Sequence, residues 1–154
     1  MFKFFLSFCL IINIIQVFSQ EINQWRGPNR DGIYAETGLL KVWPEAGPKL
    51  LWSNVMLPDG HSSVAIANNS VYLTGNVDSM DVLISLDMDG KQKWQIPYGI
   101  AWVQSFPESR CTPTIEENRI YVSSGKGDIA CIDANNAKII WSIKAAEEFG
   151  ADLK

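Results

Sequence analysis

The sequence predicts an all-β fold, and three features of the 154-residue chain indicate it. From residue 62 onward, short runs of β-branched and aromatic residues alternate with turn residues. No stretch before Ala145 has a sustained helical period. Trp52, Trp94 and Trp141 follow one another at intervals of 42 and 47 residues. Because repeats of about 40–50 residues with four short strands each are typical of propeller blades, we expect a partial β-propeller of about two four-stranded blades and an N-terminal strand.

Two stretches, residues 62–96 and 111–143, can be aligned strand by strand. Asp87 and Asp133 occupy equivalent positions at the end of the third strand, where a carboxylate can accept hydrogen bonds from the following turn. The indole that follows is too large for one sheet to bury, so we expect it to pack against the neighbouring sheet. Two β-meanders in a sandwich are the alternative. The aligned segments are 63–66, 71–74, 84–87 and Trp94 in the first copy, and 112–115, 120–123, 130–133 and Trp141 in the second.

The first 19 residues predict a cleaved secretory signal. Lys3 precedes an apolar run that ends at Ser19, and this run is shorter than the roughly 20 apolar residues of a membrane span. A membrane anchor is the alternative. We expect a periplasmic or secreted protein of the Gram-negative type, with no membrane span after cleavage. Residues 20–48 would form an extended segment, and residues 49–154 an incomplete propeller that begins with a strand around Trp52.

Charge and composition exclude several classes of function. The chain has 13 basic and 17 acidic residues and no basic cluster, which argues against nucleic-acid binding. Hydrophobic residues make up 47% of the sequence, a share that argues against disorder. His61 is the only histidine, so a catalytic triad or a histidine-rich metal site would depend on it alone. A lone histidine in a turn is more often solvated, and we expect no catalytic or metal-binding residue here.

Cys111 and Cys131 are the cysteines that remain after removal of the signal. The repeat places Cys111 beside the first strand of the second blade and Cys131 on its third strand. Two strand spacings separate them by about 9–10 Å, since neighbouring strands lie about 4.8 Å apart. This exceeds the roughly 7 Å limit between the Cα atoms of a disulfide. We therefore expect two free thiols that pack as small apolar side chains.

One face of the fold is predicted to carry the binding surface. In an up-and-down blade, the connection between blades and the loop between the second and third strands emerge on the same face. The first copy is longer than the second in both places, at 97–110 and around 75–80. Insertions of this kind often carry function. The candidate binding residues of the longer insertion are Tyr98, Trp102, Phe106 and Arg110, although Trp102 and Phe106 could equally cover the end of the blade.

Four other candidates have simpler explanations. Asp78 and Asp81 could bind Ca²⁺, but their loop lacks the dense oxygen spacing of such sites, which favours an acidic rim. Asn68 begins a glycosylation sequon that also reads as an ordinary turn. His61 could face a ligand or solvent. Residues 125–127 (Gly-Lys-Gly) predict a hairpin turn rather than a phosphate loop, because no helix follows.

The second copy resembles the tryptophan-docking repeat of the pyrroloquinoline-quinone (PQQ)-like propellers. Residues 131–141 keep that family's Asp, Ala, Lys and Trp at 133, 134, 138 and 141, whereas Asn136 and Ala137 stand where Thr and Gly are usual. The first copy keeps Asp, Gly, Lys and Trp within residues 86–94. Residues 25–32, 43–44 and 47–52 are similar to the start of secreted bacterial members. The resemblance implies an eight-bladed ring, of which this sequence would be a fragment; residues 145–150 could form one helical turn between blades.

Two classes of function follow from the resemblance. The one we favour is a non-catalytic extracytoplasmic module that binds or scaffolds proteins of the cell envelope, similar to the propeller subunit of the outer-membrane β-barrel assembly machinery. The alternative is an alcohol or sugar dehydrogenase, which would need PQQ, Ca²⁺ and a catalytic aspartate from blades outside this sequence. No stretch of the chain matches those ligands, and it has no adjacent cysteines. We therefore expect no cofactor in this part of the protein.

Overall fold

The computed structural model describes residues 22–151. The predicted signal, residues 1–19, lies outside the described residues. The elements within them are β1 (Ile22–Asn23), β2 (Ala65–Ala67), β3 (Ser70–Val77), β4 (Met80–Leu86), β5 (Gln92–Ile100), β6 (Thr114–Glu116), β7 (Arg119–Ser123), β8 (Asp128–Asp133), β9 (Ile139–Lys144) and the one-turn helix α1 (Ala145–Glu148).

The strands form two antiparallel sheets. The first has the order β2-β3-β4-β5, and the second has the order β1-β6-β7-β8-β9. Strands β6 to β9 thus repeat the up-and-down order of β2 to β5. The all-β class is confirmed, and two sheets of this kind are consistent with part of a β-propeller. The short helix α1 follows β9, within the segment 145–150 that predicted one helical turn.

The N-terminal strand differs from the expected one. The strand that the structure contains is β1, and Ile22 pairs with Glu116 on the outer edge of β6. Residues 49–55, where a strand around Trp52 was expected, form no strand pair among the described residues. This segment instead lies against the first sheet through its side chains. The segment is held by hydrogen bonds from the side chains of Trp52 and Asn54 rather than by pairing of its backbone with another strand.

The first copy of the repeat has more residues than the second, and these additional residues lengthen its strands rather than its loops. Strands β3 and β4 are joined by a two-residue turn at Asp78 and Ser79, whose φ angles are 49° and 65°. Positive φ at both positions is the geometry of the tight type I′ hairpin. The predicted loop around 75–80 is therefore wrong. Strand β5 likewise continues to Ile100 instead of ending near Pro97, so the connection between the sheets begins at Ala101.

The core lies between the two sheets. It combines side chains of the first sheet, such as Tyr72 and Leu83, with side chains of the second, such as Ile120 and Ile132. A second cluster covers the other face of the first sheet, where Val71 belongs to the same cluster as Leu57 from the N-terminal segment. Alternate residues of β3 thus face opposite sides, as the strand period requires.

Two tyrosine–tryptophan pairs confirm the repeat. Tyr72 on β3 and Trp94 on β5 have ring centroids 6.0 Å apart and ring planes inclined by 44°. Tyr121 on β7 and Trp141 on β9 have a separation of 6.2 Å and an inclination of 49°. Trp94 packs against the core between the sheets, whereas Trp141 is 45% exposed. The same side-chain pair therefore lies on one face of each sheet.

Cys111 and Cys131, the two cysteines of residues 22–151, are free thiols, as the spacing predicted. Cys131 is fully buried on β8, and burial raises the pKa of its thiol. Cys111 is partly buried, and its sulfur accepts a hydrogen bond of 3.2 Å from the backbone N–H of Ser123. The two side chains thus behave as small packing groups rather than reactive ones.

Candidate functional site

The two longer parts of the first sheet lie on the same face. Ile100, at the end of β5, pairs with Met80, at the start of β4. The next backbone N–H, that of Ala101, donates a hydrogen bond of 3.0 Å to the carbonyl oxygen of Ser79 in the hairpin turn. The hairpin and the connection between the sheets are therefore neighbours, as strand parity predicted.

At this face, one buried and one partly buried carboxylate each accept a hydrogen bond from the other sheet or from a segment next to it. Asp81 of the first sheet accepts a hydrogen bond of 2.7 Å from the N–H of Gly125 in the β7–β8 turn. Asp128 of the second sheet accepts one of 2.7 Å from the N–H of Ile100. The side chain of Ser124 donates a further bond of 3.1 Å to Asp128. Such charge-assisted bonds to backbone donors are stronger than neutral ones.

Burial also changes the acidity of Asp81. The residue is 2% exposed, and this desolvation raises the pKa of its carboxyl above the ordinary 3.8. The hydrogen bond from Gly125 lowers the pKa, but by less than burial raises it. Asp78, in contrast, is exposed in the turn. The two aspartates therefore do not converge on one ligand, and no group of three or more metal-ligating side chains exists among residues 22–151.

A chain of hydroxyl groups fixes the end of the connection. Thr74 donates a hydrogen bond of 2.7 Å to the carbonyl oxygen of Cys111, and Ser109 donates one of 3.0 Å to the hydroxyl of Thr74. The hydroxyl of Tyr98 lies 3.4 Å from that of Ser109. Residues 109–111 are thus tied to β3 by side chains that are largely buried.

Tyr98 is buried beneath this face and is not part of its surface. The residue is 5% exposed, and burial raises the pKa of its phenol. The reason lies in the pairing of β4 and β5, whose register shifts so that Asp81 opposes Gly99 and Val82 opposes Pro97. The intervening Tyr98 has no partner in this ladder, and its ring enters the core. Its prediction as a binding-face residue is therefore wrong.

The connection lies above a cavity of about 340 Å³ between the sheets. Two of the predicted residues, Trp102 and Arg110, line it. Phe106 is 75% exposed at the top of the connection, and its carbonyl oxygen accepts a hydrogen bond of 2.6 Å from the guanidinium of Arg110. The side chains and backbone that line the cavity include Asp81, Trp102, Glu108, Arg110, Ser124 and Gly125.

The Trp102 segment is positioned by the β7–β8 turn. The backbone of Gly125 is so close to the backbone nitrogen of Trp102 that a Cβ atom could not fit between them. The ammonium of Lys126 lies 4.5 Å from the centre of the Trp102 ring, and its backbone N–H donates a bond of 3.0 Å to Ile100. Residues 125–127 thus form the predicted hairpin turn. The connection can approach it this closely because Gly125 has no side chain.

Comparison with known families identifies the C-terminal third of the chain. Residues 99–154 match a family model described as "Outer membrane protein assembly factor BamB", which represents PQQ-like repeats. The chain therefore carries a PQQ-like β-propeller repeat. The match begins at Gly99 and includes the connection, the strands β6 to β9 and α1. No curated protein matches the chain.

The two remaining candidates, His61 and Asn68, each lie close to a residue of the PQQ-like repeat. His61 is largely exposed, and its Nδ1 atom is 3.8 Å from the Oε2 atom of Glu108 at the cavity margin. The side-chain amide of Asn68 donates a hydrogen bond of 2.7 Å to the carbonyl oxygen of Glu117, so the sequon residue links turns of the two sheets. Within residues 22–151, no helix is both long and apolar enough to span a membrane.

Sequence reasoning missed the residues that the fold brings to the cavity from three separate segments. Glu108 lies in the connection but was not among its candidate binding residues. Asp81 was interpreted as part of an acidic rim, and Gly125 as a turn residue. Only the pairing of β4 with β5, and the contact of the connection with the β7–β8 turn, bring these three residues together. A run of Ser and Gly after β7, opposite a longer insertion, is the one signal that could have indicated a cavity.

Proposed function

We propose that this chain is a non-catalytic, extracytoplasmic binding module, built as two blades of an eight-bladed PQQ-like propeller. Its binding surface is the face that carries residues 101–110. The observation that supports this most is the fixed position of the connection, which presents the exposed ring of Phe106 beside Arg110 and the cavity. The expected partners are proteins of the cell envelope and, within the ring, the other blades of the same chain.

Rigidity of the connection favours binding. Its start is held by hydrogen bonds from Ile100 to β8 and from Ala101 to the β3–β4 turn. Its end is held by the hydrogen bonds of Ser109 and Cys111 with Thr74 of β3. A surface that is already ordered loses less conformational entropy when a partner docks. Aromatic and arginine side chains in such a surface often supply most of the binding free energy. Phe106 and Arg110 are therefore the residues on which binding should depend.

The dehydrogenase alternative has less support in the described residues. A Ca²⁺–quinone site needs several oxygen ligands around the metal. The carboxylates of the cavity are Asp81 and Glu108, and Asp81 already accepts the N–H of Gly125. The donor set of residues 22–151 does not fit that cofactor.

An extracytoplasmic location is part of the proposal. It is supported by the apolar stretch that ends at Ser19 and by the description of the matched family, which refers to the outer membrane. Fusion of residues 1–30 to a reporter that folds only outside the cytoplasm tests the location. Activity of the fusion, and its loss when Lys3 and the apolar run are deleted, is the expected result.

Site-specific photo-crosslinking in cells tests the binding face. A photoreactive amino acid at Phe106 should give a discrete adduct with an envelope protein, and the adduct should weaken when Arg110 is replaced by alanine. Asn135, exposed in the turn between β8 and β9 at the opposite end of the strands, is the matched control position. Equal labelling from both positions, or dye-linked alcohol oxidation by the purified protein after addition of PQQ and Ca²⁺, would overturn the proposal.

A further inference from the structure

A short segment before β2 fixes His61 beside the end of the connection. The backbone of Asp59 pairs with Asn76 of β3, and the backbone of Gly60 pairs with Ser109. The backbone N–H of His61 then donates a hydrogen bond of 2.7 Å to the carbonyl oxygen of Ser109. This segment thus lies between β3 and the connection, and backbone contacts set the position of the imidazole.

Glu108 places a carboxylate oxygen next to this imidazole. The Oε2 atom of Glu108 is inaccessible to solvent and accepts no hydrogen bond from the described residues. The Nδ1 atom of His61 lies 3.8 Å from it, which is within ion-pair distance but beyond hydrogen-bond length. A shielded acceptor without a donor is costly. A movement of about 1 Å by the largely exposed imidazole would supply the donor from the chain itself.

The charge of the imidazole decides whether this contact is attractive. A histidine side chain ordinarily gains its second proton as pH falls through about 6.5, and a glutamate is ordinarily ionised above about pH 4.3. Between these values the two side chains carry opposite charges, and both imidazole nitrogens are donors. At higher pH the imidazole is neutral and the attraction is lost. The contribution of the pair is therefore present at mildly acidic pH and falls as pH rises.

The charged neighbours do not account for such a pH dependence. The guanidinium of Arg110 stays charged throughout this range, donates to the carbonyl oxygen of Phe106, and forms no ion pair within residues 22–151. Burial raises the pKa of Asp81, so its carboxyl can change charge in the same range, but that effect needs no imidazole and persists when His61 is replaced. The other titratable or charged side chains on the elements packed around the pair are Asp59, Tyr98, Arg110, Cys111, Lys126 and Asp128.

We infer that His61 and Glu108 form a pH-sensitive ion pair that holds the end of the connection at mildly acidic pH and releases it as pH rises. The inference rests on the proposed function and names a regulation of its binding face. Phe106 and Arg110 each lie two residues from Glu108 in the chain, so the pair orders the residues on which binding should depend. Partner binding should accordingly be tighter at mildly acidic pH.

Hydrogen exchange of the full chain, followed by ¹H–¹⁵N NMR, tests the inference. The signal to follow is the backbone N–H of residue 61, which donates to Ser109 and is exposed when the end of the connection opens. The observed exchange rate is divided by the intrinsic rate at each pH, which removes the ordinary pH dependence of exchange. We expect about two- to five-fold greater protection near pH 5.5 than near pH 8, as suits a partly exposed ion pair.

Substitutions of the two partners identify the pair. His61→Gln and Glu108→Gln each remove one charge and keep the backbone N–H of residue 61. Both should abolish the pH-dependent difference, and the double variant should lose no more than either single one, because all three break the same contact. Glu45→Gln, in the exposed N-terminal segment, is the control variant and should retain the difference. The N–H of Asp133, which donates to Lys138 in the β8–β9 turn, is the control amide and should not change between variants.

Two results of the exchange experiment would overturn the inference. One is equal protection of residue 61 at both pH values in the unmodified protein, a result that does not depend on the folding of a variant. The other is a pH-dependent difference that survives Glu108→Gln, which would assign it to another group such as Asp81.

Photo-crosslinking at Phe106, repeated at the two pH values, separates this inference from the proposed function. A higher yield of the adduct near pH 5.5 is the expected result. If the exchange difference is found but no adduct forms at either pH, the proposed binding function fails and the ion pair stands. If the adduct forms equally at both pH values, the binding function stands and its regulation by the pair is excluded.

Discussion

The indole nitrogen of Trp52 donates a hydrogen bond of 2.8 Å to the carbonyl oxygen of Met88. The ring lies over Gly90, and the side-chain amide of Asn54 donates a second bond of 3.0 Å to the carbonyl oxygen of that glycine. A segment that forms no strand among the described residues is thereby docked on the turn between β4 and β5. The contact stabilises the outer face of the first sheet, where Leu57 packs in the second hydrophobic cluster.

Replacement of Gly90 by alanine should destabilise the protein. A Cβ atom at this position would lie 2.5 Å from ring carbon Cε3 of Trp52, and the φ angle of +81° is unfavourable for alanine. Overpacking and backbone strain together should cost about 2–4 kcal/mol. Urea unfolding followed by tryptophan fluorescence measures the loss.

Gly38 provides the control for backbone strain alone. Its φ angle is +72°, and no atom lies within 4 Å of the position of a Cβ. Gly38→Ala should therefore cost only the strain, about 1–2 kcal/mol. If Gly90→Ala and Gly38→Ala cost the same, Trp52 does not dock on the turn in solution.

Substitutions of Tyr98 should separate its packing from its hydroxyl group. The hydroxyl lies 3.4 Å from Ser109 Oγ and 3.4 Å from the carbonyl oxygen of Ser123, both long contacts. Tyr98→Phe should thus cost about 1 kcal/mol or less. Tyr98→Ala leaves a cavity in the core and should cost about 3–5 kcal/mol. Thermal unfolding of both variants compares these two losses of stability. Phe106→Ala is the control at an exposed aromatic residue, and it should change stability by about 0.5 kcal/mol at most.

The repeat could be predicted from sequence because its indoles and strands recur at fixed spacing. The same pattern aligned Tyr72 with Tyr121 on the second strand of each copy, and the two tyrosine–tryptophan pairs confirm this. The hairpin at Asp78 and Ser79 could not be predicted, since neither residue is the glycine that usually marks a turn with positive φ. The burial of Tyr98 depends on a register shift between β4 and β5, which local sequence does not encode.

The cavity was less predictable than the face on which it lies. Strand parity located the face, because it depends only on counting strands and comparing the lengths of connections. The contacts of Asp81 with Gly125 and of Asp128 with Ile100 join residues from different sheets. Such contacts depend on how the sheets pack, and a single sequence contains no periodic signal for them.

The stability of the protein should depend on pH through Asp81. Burial raises the pKa of this carboxyl, so the folded chain keeps the proton to a higher pH than the unfolded chain, which loses it near 3.8. The favourable contribution is complete below pH 3.8 and is lost as pH rises through the folded-state pKa. Asp81→Asn stays neutral and retains an acceptor for Gly125. Its unfolding free energy, relative to that of the unmodified protein, should therefore rise with pH across this window.

Urea unfolding at a series of pH values measures this effect. The difference between the unmodified protein and Asp81→Asn should be smallest at the acidic end, where both side chains are neutral. A difference that stays constant with pH would contradict the prediction. A difference that shrinks as pH rises would mean that the hydrogen bond from Gly125, rather than burial, dominates the pKa of Asp81.

Substitution of Gly125 should release the connection from the second sheet. The φ angle of Gly125 is not positive, so alanine is free of backbone strain there, and its N–H can still donate to Asp81. The added methyl group would instead overlap the backbone of Trp102 and lie 2.7 Å from its Cβ atom. Overpacking of this kind costs about 1–3 kcal/mol, unless the connection moves away and avoids it.

Limited trypsin digestion distinguishes these two responses. If the connection moves, cleavage after Arg110 should accelerate several-fold in Gly125→Ala while the global unfolding free energy changes little. Lys126→Ala, in the same turn, is the matched control: it removes the cation–π contact with Trp102, worth about 0.5–1 kcal/mol at an exposed site, without adding bulk. Its cleavage rate after Arg110 should stay close to that of the unmodified protein. Resistance of Gly125→Ala to both trypsin and urea would show that the close approach to Trp102 does not hold the connection, and the binding face would then lack the rigidity on which its proposed function depends.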